Sequence, residues 1–161
     1  MEILENTEIN KIIEKAQGSD RQRQHYNLHS NYAAPCQVLL NAICPESYIQ
    51  PHRHTSDPKS EYLFWVSGDL VVFYFSDSGK IKNFIQLGPE AYKARGVKLI
   101  SKDWHTVVAL ADNSVILEVK AGPFIPDSKK DFAFWAPAEG SASASQYLLQ
   151  LKHVASQKFR K

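Results

Sequence analysis

The chain has 161 residues, 43% hydrophobic and 22% charged, the proportions of one packed globular domain rather than a disordered chain. The formal net charge of +2 is local, because Lys152, Lys158, Arg160 and Lys161 follow Gly140 with no acid among them and leave a slightly acidic body, which argues against a nucleic-acid-binding face. No stretch reaches the roughly 18 apolar residues of a membrane span, and the first residues, MEILENTEINKIIEKA, lack the apolar run of a secretory signal. A cytoplasmic location is therefore expected, with Cys36 and Cys44 reduced and buried as small apolar residues.

In chain order, Asn6 or Thr7 is placed to cap a helix, and Ile9, Ile12, Ile13 and Ala16 share one face of it before Gly18 ends it. From Arg21 the segment RQRQHYNLHSNYAAP is polar and aromatic without a helical period. Short β-branched and aromatic runs follow: CQVLLNAI, SYIQPHRH, EYLFWVSG, DLVVFYF, KIKNFIQL, VKLI, WHTVVAL and SVILEVKAGPF. Turn-forming stretches separate them, SDSG and ADNS among these, and the pattern predicts an antiparallel sandwich or barrel. Near the C-terminus, Tyr147, Leu148, Leu149 and Leu151 predict a last helix behind a Ser/Ala-rich, flexible lead-in. The chain thus divides into an N-terminal helical segment (1–20), a barrel (21–139) and a basic helical tail (140–161), without a second domain.

Side chains two apart on a strand point to one face. His52 and His54 therefore project together, with Arg53 opposite. Glu61 shares a face with Leu63 and Trp65, so it points to the core or to the mouth of a cavity, where a carboxylate needs a partner. His105 is in phase with Val107 and Ala109 on a later strand. A lone strand histidine is usually satisfied or exposed, and H-x-H pairs also occur on surfaces. Three imidazoles and one carboxylate in matching contexts instead form a donor set for Zn, Fe(II), Mn, Ni or Cu.

The arrangement His52-x-His54-x6-Glu61-x6-Gly68, with His105 on a distant strand, resembles the cupin pattern. RQRQHYNLH, PCQVLLNAI, PHRH, KSEYLFWVSGDL, WHTVVAL, LEVKAGPF and DFAFWAPAEG, in that order between about Arg21 and Glu139, look like the WbuC-type cupin-fold metalloproteins. The resemblance implies a mainly β fold, a single cupin-type antiparallel β-barrel (jelly roll) with a helix at each end. It implies a divalent transition metal (Zn, Fe, Mn or Ni) held by His52, His54, Glu61 and His105, and a homodimer. It also implies a small polar ligand such as a sugar or sugar nucleotide, from the family's association with bacterial surface-polysaccharide genes. Two features depart from the common pattern. Six residues, Thr55–Ser60, separate His54 from Glu61, and Ile100 and Lys102 stand where the second motif usually has Pro and Gly.

Other polar residues are candidates beside these. Glu61 and Lys59 fall on one face and are candidate acid/base groups; Tyr26 and Asn27 belong to a segment that lines the mouth or forms a solvated strand. Glu118 and Lys120 share a face as groups supporting the site or as an outward pair. Isomerase, hydrolase and dioxygenase chemistry, binding without turnover, and a metal-free isomerase or epimerase all stay open.

Overall fold

The computed structural model describes residues 3–125 and 130–157. The elements are α1 (Asn6–Gln17), β1 (Arg23–Asn27), β2 (Cys36–Ile43), β3 (His52–Arg53), β4 (Glu61–Ser67), β5 (Leu70–Phe75), β6 (Ile81–Leu87), β7 (Gly96–Leu99), β8 (Trp104–Ala109), β9 (Ser114–Ala121), β10 (Asp131–Phe132) and α2 (Ala144–Gln157). The strands form two five-stranded sheets, β1-β2-β9-β4-β7 and β10-β3-β8-β5-β6, paired antiparallel within each. Among the described residues no helix is long and apolar enough to cross a membrane.

Period-two alternation explains how the layers stack. Leu70 and Val72 of β5 face the other sheet and, with Leu87, Val107 and Ala109 of their own sheet, share a core with Ile43, Leu63, Leu99 and Ile116 of the facing one. Val71, Phe73 and Phe75, on the opposite face of the same strand, receive Ala144, Leu148, Leu151 and Ala155 of α2. With both faces covered, every residue of β8 is buried, which is why WHTVVAL reads as a nearly continuous apolar run. On the outside of the first sheet, Ile12 and Ala16 of α1 pack on Leu40, Ala42, Cys44 and Val115.

Several local readings need correction. The N-cap of α1 is Glu5, not Asn6 or Thr7. Glu8 sits at the third helical position, and its carboxylate accepts from the Glu5 backbone N–H at 3.0 Å, the reach-back of a capping box. Cys36 is exposed and only Cys44 is buried, because Cys36 begins its strand beside the sheet end. The Ser/Ala-rich lead-in to α2 is a turn followed directly by helix, with the Ala144 N–H donating to the Ser141 carbonyl at 3.1 Å. Lys158, Arg160 and Lys161 of the basic tail lie outside the described residues.

Arg21 and Arg23 are both tied to Glu139. The Arg23 guanidinium reaches both carboxylate oxygens at 2.6 and 2.7 Å, and Arg21 reaches one at 2.8 Å. Arg23 also donates to the Tyr48 carbonyl at 3.2 Å. These bonds tie β1 to the segment before α2. Glu139→Gln is expected to lower stability by about 1–2 kcal/mol, since it leaves a largely buried guanidinium short of its partner. Urea unfolding at neutral pH measures this.

Gly68 closes the β4–β5 turn at φ +74, and a Cβ there would lie 2.5 Å from the Ser114 Cα. Only glycine meets both conditions. The Ser114 hydroxyl in turn donates to the Asp69 carbonyl at 2.9 Å, so the turn after β4 is locked against the start of β9 and the strand carrying Glu61 is fixed in place.

Candidate metal centre

The second sheet supplies three imidazoles. His52 lies directly opposite His105 across the β3–β8 pairing, and His54 follows at the end of β3, its N–H donating to the Ser101 carbonyl at 2.9 Å. The ring centroids are 4.5 Å apart for His52 and His105, 5.1 Å for His52 and His54, and 5.5 Å for His54 and His105. One nitrogen from each of the three lies within 4.8 Å of those from the other two. Glu61 enters from the other sheet as the first residue of β4, with Oε1 3.1 Å from His54 Nε2 and 3.0 Å from His105 Nε2. Exposure is 5% for His52, 9% for His54, 4% for Glu61 and 2% for His105. The six-residue segment 55–60 therefore does not hold Glu61 away from the histidines.

The turn before β8 achieves its geometry without Pro or Gly. The Asp103 carboxylate accepts from the Ile100 N–H at 3.0 Å, and the Asp103 N–H donates to the Ile100 carbonyl at 3.0 Å. An Asp side chain thus closes the turn and delivers His105 inward.

The ring nitrogens are not equivalent. His52 Nδ1 lies 3.0 Å from the Gln50 carbonyl, and His105 Nδ1 lies 2.9 Å from the Asp103 carbonyl. A carbonyl only accepts, so both Nδ1 atoms carry hydrogen, and in the neutral rings both Nε2 atoms are bare lone pairs. At His105 that lone pair faces the Glu61 carboxylate at 3.0 Å. Two acceptors at this distance repel unless a cation or proton stands with them. A backbone carbonyl that fixes the imidazole tautomer is also how metal-ligating histidines are commonly oriented. By the chemistry of its donors, the set suits a divalent transition metal.

Burial, with Lys130 next in importance, holds the His52 imidazole well below its usual range, and burial lowers His54 against the pull of Glu61. Both therefore favour the neutral, ligating form. Burial opposes ionisation of Glu61, but where protons stand on the facing Nε2 atoms, hydrogen bonds from His105 and His54 outweigh it and keep that carboxyl well below the usual range.

Further polar side chains ring these four. Glu118 faces Leu63 and Leu39 on the strands either side of β9 and is close enough to Glu61 to feel its charge. Burial, then the Glu61 charge, push its carboxyl up to about 7. Lys120 lies opposite Glu61, and its ammonium is 3.4 Å from Asp57, which also holds Lys59 at 3.0 Å. Glu118 and Lys120 are thus the inward pair of β9. Lys59 is turned to Asp57 and to the Pro123 carbonyl, 2.6 Å away, and is not brought to the histidines. Tyr26 pairs with Leu40, whose side chain packs under α1. Tyr26 therefore lies on the outer face, half-exposed, while His25 and Asn27 occupy the inner face of β1. One residue had no signal in the sequence: the Lys130 ammonium stands 3.3 Å from His52 Nε2.

A family model for a domain of unknown function, DUF6016, matches residues 4–87. The chain belongs to this family. The match takes in His52, His54, Glu61 and Gly68 but stops short of His105. No curated protein matches the sequence. Solved structures do. Protein SO0799 from Shewanella oneidensis aligns at 11% identity and TM-score 0.55, covering 81% of this chain and 85% of that one. KdgF from Halomonas sp. aligns at 16% identity and TM-score 0.50, covering 65% and 83%. An oxalate oxidase aligns at 10% identity and TM-score 0.53, covering 72% and 57%. At such identities these likenesses establish the fold, a cupin-type double-sheet barrel flanked by two helices.

Proposed function

We propose that this protein is a metal-binding cupin that holds one divalent transition metal through His52, His54, His105 and Glu61, and binds a small polar ligand beside it. The observation that carries this reading is the pair of bare imidazole lone pairs, each fixed by an Nδ1–carbonyl hydrogen bond, converging with a carboxylate in a nearly closed pocket. The motif resemblance to WbuC-type metalloproteins supports it. Such an ion supplies a Lewis acid that polarises oxygen ligands. The chain's own residues do the rest. Gln50 and Asp103 set the ring orientation, the sheets exclude water, and Glu118, a carboxyl close enough to Glu61 to feel its charge, is placed to take or give a proton.

A second reading rests on the same contacts. With protons in place of the ion, His105 and His54 form imidazolium–carboxylate pairs with Glu61, a metal-free acid/base site. Metal analysis of protein purified without an affinity tag decides between them. The wild type is expected to carry about one equivalent of transition metal and His52→Ala almost none; no metal in either leaves the acid/base reading alone. Turnover of a co-purified ligand, or its absence, then separates an enzyme from a binding module.

A further inference from the structure

We propose that the ligand is a small carboxylate-bearing molecule, bound with its carboxylate between the metal and the Lys130 ammonium. This rests on the metal reading above. Lys130 donates to the Nε2 lone pair of His52 at 3.3 Å, the same lone pair that a metal takes. Among the described residues it contacts no carboxylate. When a metal occupies that lone pair, Lys130 loses its acceptor and stands beside a second cation. An anion between them removes the repulsion, and a carboxylate offers one oxygen to each.

The charge balance of the pocket points the same way. Glu61, Glu118 and Asp57 are acidic; Lys59, Lys120 and Lys130 are basic. With every one of them ionised they cancel, so a divalent ion leaves an excess of positive charge. Adding Asp103, whose charge is felt at Tyr74, reduces that excess without reversing it. The balance does not depend on the protonation of Glu118, since its neutralisation only adds to the positive side. Lys120 contributes from the first sheet, where its side chain is mostly buried opposite Glu61. Beside these cations stands one apolar side chain, Phe132. The Phe132 ring lies 6.3 Å from that of His52 and is half-exposed, which suits a short carbon skeleton more than inorganic phosphate.

The test is calorimetric titration of the full-length, metal-loaded protein with malonate, with its neutral isostere malonamide and with inorganic phosphate, the metal content of every sample being measured. Malonate is expected to bind and malonamide to bind at least tenfold more weakly. Lys130→Met, at an exposed position, is expected to keep its metal and lose roughly ten- to thirtyfold in malonate affinity, the worth of a hydrogen bond to a charged group. Lys130→Arg is expected to restore most of it, and Lys102→Met to change nothing. If malonate and malonamide bind alike, if phosphate binds in preference, or if Lys130→Met binds like wild type while metal is fully retained, the carboxylate assignment is overturned and the metal site stands. If wild-type samples hold no metal after loading, the reading beneath it falls as well.

Discussion

Chelator treatment of the metal-loaded protein is expected to lower its unfolding midpoint by roughly 8–16 °C, and the same treatment should leave His105→Ala almost unmoved. A ligand that binds only the folded state stabilises it by about 4 kcal/mol when its free concentration is a thousandfold above Kd. For a chain of 161 residues, each kcal/mol is worth about 2–4 °C. His105→Ala removes one of the two lone pairs that a backbone carbonyl fixes, and loss of a direct ligand should cost more than the 10–100-fold typical of supporting residues. The variant will also be less stable without metal, because Glu61 loses one of its two imidazole partners in a buried site. The diagnostic quantity is therefore the shift produced by chelator in each protein, read by differential scanning calorimetry, and not the absolute midpoint. An equal shift in both would remove His105 from the ligand set.

What could be read from the sequence follows from where periodicity is strong. The strands β2, β4, β5 and β8 carry continuous or alternating apolar runs, and their residue ranges emerge almost unchanged, as does the placement of His105 with Val107 and Ala109. Elements held by other means leave little trace. β1 is built of polar, largely exposed residues, and its start is bolted to Glu139. β10 and β3 are each two residues long, too short for a period to show. The histidines and Glu61 were legible because strand alternation fixes side-chain direction. The reach of Glu61 across six residues was not, since a loop's path depends on tertiary anchors such as the Lys59–Pro123 and Asp57–Lys120 contacts. Tyr26 shows the limit of alternation: it gives two faces but not which one is inside, and α1, packed under Leu40, decides that. Lys130 could not be found at all, because a connection between strands, rather than a strand's own phase, delivers it to His52.

Glu118 offers the other large effect. In metal-stripped protein, Glu118→Gln is expected to raise stability at about pH 8 by up to about 3 kcal/mol, while changing it little at about pH 4. The sign follows from the two states. Unfolded, the carboxyl titrates near its ordinary 4.5; folded, burial and then the Glu61 charge push it up to about 7. Below the lower value both states are protonated and the stability is fully present. Between 4.5 and about 7 the unfolded chain releases the proton while the folded one keeps it, so stability falls as pH rises, by about 1.4 kcal/mol for each pH unit. Above that window both states are ionised and the loss is complete. Glutamine keeps the shape and cannot ionise, so the variant lacks this decline; His52 and His54, held neutral in the fold, lift the stability of both proteins as pH rises to the ordinary imidazole range, so the difference between variant and wild type is the quantity to read. Glu61 acts in the opposite sense, its lowered carboxyl adding stability that is lost only as the pH falls below the ordinary carboxylate range, so the two contributions separate along the pH axis. Urea unfolding from about pH 4 to about pH 8 measures the Glu118 contribution, and extending the series down to about pH 2 reaches that of Glu61. Metal loading should flatten the wild-type curve, because a divalent ion beside Glu61 favours the ionised form of Glu118. A wild-type profile that declines equally with and without metal would show that Glu118 does not feel the ion, and would place the metal away from Glu61.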